Sequence, residues 1–130
     1  MLTLLGEAYL TAGQIPEARG AVEGGLALAA QTGQAFFDAE LHRLRGETVL
    51  AGGDAPAEAE AAFLRGLDIA RAQEAKSFDL RTATSLARLW RHQGKRAEAH
   101  ALLAPIYGWF SEGFDTRDLI EAKALLAALR

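Results

Sequence analysis

The sequence predicts an all-α protein made of about three stacked helical hairpins and a final capping helix. Three observations favour this fold. Alanine and leucine dominate a chain that is 50% hydrophobic and only 8% aromatic, as is typical of helices packed through small side chains. Similar stretches ending in glycine recur along the chain, and their apolar residues follow helical spacing. The length of 130 residues corresponds to a single domain.

A repeat with a period of about 40 residues runs through the sequence. Its three copies occupy 5–13, 45–53 and 86–94, and each copy ends in glycine. The terminal glycines are Gly13, Gly53 and Gly94, so the two intervals between them differ by a single position. Each is followed by an alanine next to a glutamate, and these alanines, Ala18, Ala59 and Ala99, recur with the same period. Two markers with the same period indicate a structural repeat.

Each copy predicts a helix, a tight turn and a second helix. The glycine suits the left-handed position at which a helix ends, and Pro16 and Pro56 suit the first turn of the next helix. The small alanines let the two helices approach. An apolar stripe continues four residues later at Val22, Phe63 and Leu103. The predicted helices span 2–12, 16–31, 35–51, 56–74, 77–93 and 96–109.

A seventh helix is predicted after the break at 111–115, with Asp115 or Thr116 as its cap. Its apolar stripe consists of Leu119, Ala122, Leu125, Leu126 and Leu129. Because one hairpin cannot bury its own apolar face, we expect the hairpins to stack into a right-handed superhelix. The repeats are expected at about 1–33, 35–75 and 77–110, and the capping helix at about 115–130.

The first copy resembles the tetratricopeptide repeat through Leu5, Gly6, Tyr9, Gly13 and Ala18. The second copy departs from that pattern with Arg45 before Gly46 and with Val49 in place of the aromatic residue, and the third has Ala87 in place of the glycine. The period also exceeds the usual tetratricopeptide length. That excess implies longer helices, of the kind found in large bacterial signalling ATPases and regulators.

A second resemblance covers residues 39–126. The runs at 39–46, 70–77, 84–90 and 107–116 resemble the C-terminal region of bacterial multidomain proteins. Those proteins join a class III adenylate/guanylate cyclase domain, or a DNA-binding regulator domain, to an ATPase module and a tetratricopeptide tail. The resemblance implies that the chain is a fragment of a longer protein. Leu2, Leu4 and Leu5 would then lack the helix they should pack on, so a homodimer through this end is expected.

Composition and motifs argue against most catalytic and metal chemistry. The chain has no cysteine, which excludes disulfides, thiol nucleophiles and Cys-ligated zinc. The sequence Gly94-Lys95-Arg96 is not a phosphate-binding loop. His42, His92 and His100 lack metal-ligand spacing, and no serine has the surroundings of a nucleophile elbow. We therefore expect no enzyme activity, no metal and no cofactor.

Charge and hydropathy limit the partners. The 14 Lys and Arg residues against 17 Asp and Glu residues give a net charge of −3, which argues against direct binding of nucleic acid. The N-terminal residues do not resemble a signal peptide, and no apolar run approaches membrane-spanning length. We expect a cytoplasmic protein whose partner is neither nucleic acid nor membrane.

The candidate binding surface is the groove lined by the first helix of each hairpin. Its predicted residues are Glu7, Glu40, Arg43, Glu47, Arg81, Thr84, Arg88, Arg91 and His92. Acidic residues lie toward one end and basic residues toward the other. This pattern predicts a bipolar groove for an extended protein segment, with arginines binding a carboxylate or phosphate. The alternative is a set of solvated faces, or ion pairs within the array such as Glu47 with Arg88.

Aromatic residues concentrate around the third hairpin and the final helix. They are Trp90, Tyr107, Trp109, Phe110 and Phe114. Packing of the capping helix onto the third hairpin is the favoured interpretation, and a docking site for a partner domain is the alternative.

Two functional hypotheses follow from the sequence. The first is a non-catalytic interaction and regulatory module that binds a protein segment or an attached domain of the same chain. The second is a small-molecule sensor that regulates an attached cyclase or ATPase through an enclosed pocket.

Overall fold

The structure, a computed structural model, describes residues 2–33, 37–53, 56–110 and 116–130, with side chains from residue 6 onward. Within these ranges the chain is all-helical, as predicted. The helices are α1 (Leu2–Thr11), α2 (Ile15–Thr32), α3 (Asp38–Ala51), α4 (Pro56–Ala72), α5 (Lys76–His92), α6 (Arg96–Tyr107) and α7 (Arg117–Leu129). Their bounds lie close to the predicted ones. The predicted start of the third helix, residue 35, lies outside the described residues.

The helices form two rows. Each helix packs against the next one along the chain, and α1 also contacts α3, α3 contacts α5, and α5 contacts α7. In the described part of the chain, α2, α4 and α6 do not contact one another. The odd-numbered helices therefore lie side by side in one row, here called the inner row, and the even-numbered helices form the other, here called the outer row.

Left-handed residues end the first helix of each hairpin, as the repeat predicts. Gly13, Gly53 and Gly94 have φ of +77°, +77° and +80°. After Gly94 the amide of Lys95 donates to the carbonyl of Trp90 at 2.8 Å, a bond typical of a Schellman motif. The turn between α4 and α5 has the same bond from Ala75 to Ala70. There, however, the left-handed position holds Glu74, with φ of +55°.

Glu74→Gly is expected to raise the free energy of unfolding by about 0.5 kcal/mol. A left-handed conformation costs a side-chain-bearing residue about 1–2 kcal/mol, and the greater freedom of glycine in the unfolded chain offsets about half of that gain. The matched change in the opposite sense, Gly94→Ala, is expected to lower stability by about 1 kcal/mol. Urea unfolding of both variants tests this. If both variants changed the free energy of unfolding in the same direction, the prediction would be wrong.

The repeat positions at which the sequence has an alanine or a larger apolar residue lie in the core. Ala18, Ala59 and Ala99 are each 0% exposed, and Val22, Phe63 and Leu103 are at most 1% exposed. The predicted stripe of α7 is also buried. Thr116 lies at the N-cap of α7, but its side chain makes no capping hydrogen bond, and Asp115 lies outside the described residues.

Three of the five clustered aromatic residues pack as predicted. Trp90, Tyr107 and Phe110 lie against the core, and the indole Nε1 of Trp90 also donates to Glu60 at 2.6 Å. For Trp109 the packing prediction is wrong, because the residue is 48% exposed. Phe114 lies outside the described residues.

Candidate functional site

A half-open cleft of about 450 Å³, here called the inner cleft, lies on the inner row of helices. All four inner helices contribute to it, so the two ends of the array, α1 and α7, face the same space. Its charged lining residues are Glu7, Arg43, Glu47, Arg81, Arg88, Arg117, Asp118 and Glu121. Its other lining residues are Leu10, Thr11, Leu44 and Thr116.

A chain of ion pairs joins three inner helices beside the cleft. Glu40 of α3 is 4% exposed and accepts hydrogen bonds from Arg43 Nη2 at 2.6 Å and from Arg81 Nη1 at 3.1 Å. Arg81 of α5 also donates through Nη2 to Asp118 of α7 at 2.9 Å. Burial of Arg81 would lower its pKa, but the bonds and charges of Asp118 and Glu40 outweigh burial and hold that pKa above its ordinary value.

A second, more exposed group of charges centres on Glu121 of α7. Its carboxylate accepts from Arg88 at 3.1 Å and from Arg117 at 2.9 Å. Burial would raise the pKa of Glu121, but the two arginines outweigh it and hold that pKa below its ordinary value. The Arg88 and Glu121 side chains are 44% and 36% exposed, so the pair between them contributes less than about 1 kcal/mol.

The structure brings some of the predicted groove residues together and separates others. Those in the inner cleft are Glu7, Arg43, Glu47, Arg81 and Arg88. Arg91 and His92 line a neighbouring cleft of about 290 Å³ between α5 and α7, here called the side cleft. Arg88 and Glu121 line both clefts.

Three predicted groove residues are buried, and two of them, Glu40 and Thr84, do not line the inner cleft. Glu40 is enclosed by its two arginines. Thr84 is 4% exposed, and its hydroxyl donates to the carbonyl of Leu80 at 2.8 Å within α5. The ion pair considered between Glu47 and Arg88 is also replaced, since Arg88 pairs with Glu121.

The unpaired charges still have a bipolar arrangement, but fewer residues carry it. Within the described part of the chain, no cationic side chain lies within 4.0 Å of the carboxylates of Glu7 or Glu47. Arg91 and His92 likewise have no ion pair among the described residues. The described side chains that form no ion pair are therefore two carboxylates in the inner cleft and the basic residues Arg91 and His92 in the side cleft.

Sequence reasoning missed the contribution of α7, because that helix was treated only as a cap. Its polar residues Arg117 and Asp118 lie four and three positions before Glu121, spacings that place each of them beside Glu121 on the helix surface. Nothing local to α7 shows which residues of α3 and α5 that face meets.

The described residues contain no group of three or more His, Asp or Glu side chains placed to hold a metal ion. Among the described helices, none combines the length and the apolar character needed to cross a membrane. Comparisons of the chain with family models, with curated proteins and with solved structures gave no match.

Proposed function

We propose that the chain is a non-catalytic interaction module, a right-handed tetratricopeptide-like array whose inner cleft binds an extended protein segment. The observation that carries the proposal is the cleft itself, which takes residues from all four inner helices and keeps two carboxylates unpaired. Leu10 and Leu44 line it beside those carboxylates, so apolar and polar contacts with a segment can form together.

The shape of the cleft favours a segment over an enclosed small molecule. It is half-open to solvent, with a volume of about 450 Å³, whereas a pocket that buries a small ligand encloses most of its surface. The sensor hypothesis therefore has less support than segment binding.

The resemblance of residues 39–126 supports a proposal about context. We propose that the array is the cytoplasmic tail of a bacterial signalling ATPase, cyclase or transcriptional regulator. Its partner is then a protein segment or an attached domain of the same chain. Self-association through Leu2, Leu4 and Leu5 stays a prediction, since those side chains lie outside the described ones.

A steric block tests segment binding without changing charge. A random dodecapeptide library is selected on the immobilised chain, and affinities of the enriched peptides are measured by fluorescence anisotropy. Thr11 is exposed and lines the inner cleft, so Thr11→Trp is expected to weaken binding at least about tenfold by filling the cleft.

The control is Ala61→Trp, at an exposed position of α4 in the outer row, which is expected to leave affinity unchanged. Melting curves of both variants check folding. Failure to enrich any peptide, or equal affinities of Thr11→Trp and the unmodified chain, would overturn the proposal.

A further inference from the structure

We infer that the inner and side clefts together recognise one basic and one acidic side chain on the same extended segment. The basic side chain occupies the inner cleft at Glu7 and Glu47, and the acidic one occupies the side cleft at Arg91 and His92. The inference rests on the proposed function and specifies the chemistry of its ligand.

The pattern of ion pairs in the inner cleft assigns the basic side chain. Its arginines are all engaged: Arg43 with Glu40, Arg81 with Glu40 and Asp118, and Arg88 and Arg117 with Glu121. Among the described residues of the lining, the carboxylates of Glu7 and Glu47 are the acidic groups that form no ion pair with an arginine. An incoming ammonium or guanidinium group gains charge-assisted hydrogen bonds there without breaking an internal ion pair, although the charge of Arg117 also acts on Glu7 at longer range.

The apolar part of the lining fits the same ligand. Leu10 and Leu44 lie in the same cleft as the two free carboxylates. Lysine and arginine carry long aliphatic stems that pack on apolar surface while the charged end reaches a polar group. Leu44 is only 1% exposed, so Leu10 offers most of this apolar contact, which a compact inorganic cation would not make.

The side cleft has the complementary character. Arg91 and His92 belong to the last turn of α5, and both side chains are exposed. Ala124, Leu125 and Ala128 of α7 form its apolar wall. The planar guanidinium of Arg91 is suited to a carboxylate, so an Asp or Glu side chain of the segment fits this cleft.

The register of the inner helices sets the spacing between the two side chains. The bond between Glu40 and Arg81 joins residues 41 positions apart on α3 and α5, and by the same offset Glu47 lies opposite Arg88. Packed helices stand about 8–10 Å apart, and Arg91 lies about 4.5 Å beyond Arg88 along α5. Because the two displacements are roughly perpendicular, they combine to a separation of about 10 Å, which an extended segment spans in about three residues.

Charge-neutralising variants of the full chain test this inference with peptides enriched on the unmodified chain from the dodecapeptide library. We expect these peptides to carry Lys or Arg about three positions from Asp or Glu. The Glu7→Gln/Glu47→Gln variant is expected to weaken their binding at least about tenfold, the loss typical of charge-assisted bonds. Arg91→Gln is expected to weaken it less, because that side chain is exposed.

Asp68→Asn, an exposed position on α4, is the matched control and is expected to leave affinity unchanged. Reversing both ends, with Glu47→Lys and Arg91→Glu, is expected to select peptides with the two charges exchanged. Enriched peptides without the charge pair, or affinity that survives Glu7→Gln/Glu47→Gln, would overturn the inference while Thr11→Trp still reports segment binding. A library that yields no binder overturns both proposals.

Discussion

Gly46→Ala is expected to lower the free energy of unfolding by about 2 kcal/mol, although alanine is the better helix former. Gly46 lies inside α3, and a Cβ at this position would stand 2.5 to 2.8 Å from three ring atoms of Phe63. Phe63 is 0% exposed, so its ring has little room to move. Overpacking of this severity costs about 3 kcal/mol, and the gain in helix propensity of about 1 kcal/mol offsets only part of it.

Two further variants isolate the packing effect. Gly24 also lies inside a helix, but a Cβ there would have no neighbour within 4 Å. Gly24→Ala is therefore expected to raise stability by about 1 kcal/mol. Combining Gly46→Ala with Phe63→Leu is expected to be less destabilising than the sum of the two changes, because the smaller side chain makes room for the methyl group. Stabilisation by Gly46→Ala in urea unfolding would contradict the close contact.

The same close approach explains why this repeat position is small in all three copies. At Gly6 a Cβ would stand 3.3 Å from Val22, so the residue at the equivalent place on the second helix is again the neighbour. In the second copy the neighbour of the glycine is Phe63, which is larger than Val22, so the contact with an added Cβ is closer. In the third copy Ala87 occupies the position and is 0% exposed.

Sequence reasoning predicted the helices well because their signals are local. Glycines at helix ends and apolar residues spaced by three and four positions act within one hairpin, as the left-handed Gly13 and the buried Ala18 show. The groove was harder to predict. Glu40 and Arg43 are three residues apart, but Arg81 is 41 positions away from Glu40, and only packing of α5 against α3 shows that Glu40 is enclosed.

The role of α7 depends on the same long-range geometry. Asp118 lies 37 positions from Arg81, and its pairing with that residue depends on the packing of α7 against α5. The sequence of a helix can thus show its apolar stripe clearly and still not show which residues its polar face contacts. Aromatic character alone is also insufficient to predict burial, because Trp109 is exposed whereas its neighbour Phe110 packs against the core.

Glu40→Ala is expected to lower the free energy of unfolding by about 3 kcal/mol, because it removes the carboxylate at the centre of a buried ion-pair network. The side chains of Arg43 and Glu40 are only 10% and 5% exposed. Without Glu40, the guanidinium of Arg43 stays enclosed with no opposite charge bound to it, and Arg81 keeps only Asp118. Removing one partner of a buried pair typically costs about 3–5 kcal/mol.

The controls separate this loss from a general effect of removing charge. Arg88→Ala breaks a pair whose side chains are 44% and 36% exposed, so a loss below about 1 kcal/mol is expected. Adding Arg43→Leu to Glu40→Ala removes the stranded charge and is expected to restore most of the lost stability, since apolar replacements of buried pairs are often neutral. Urea unfolding of the four chains measures these differences. If Glu40→Ala costs no more than Arg88→Ala, or if Arg43→Leu gives no recovery, the network does not hold the inner row together.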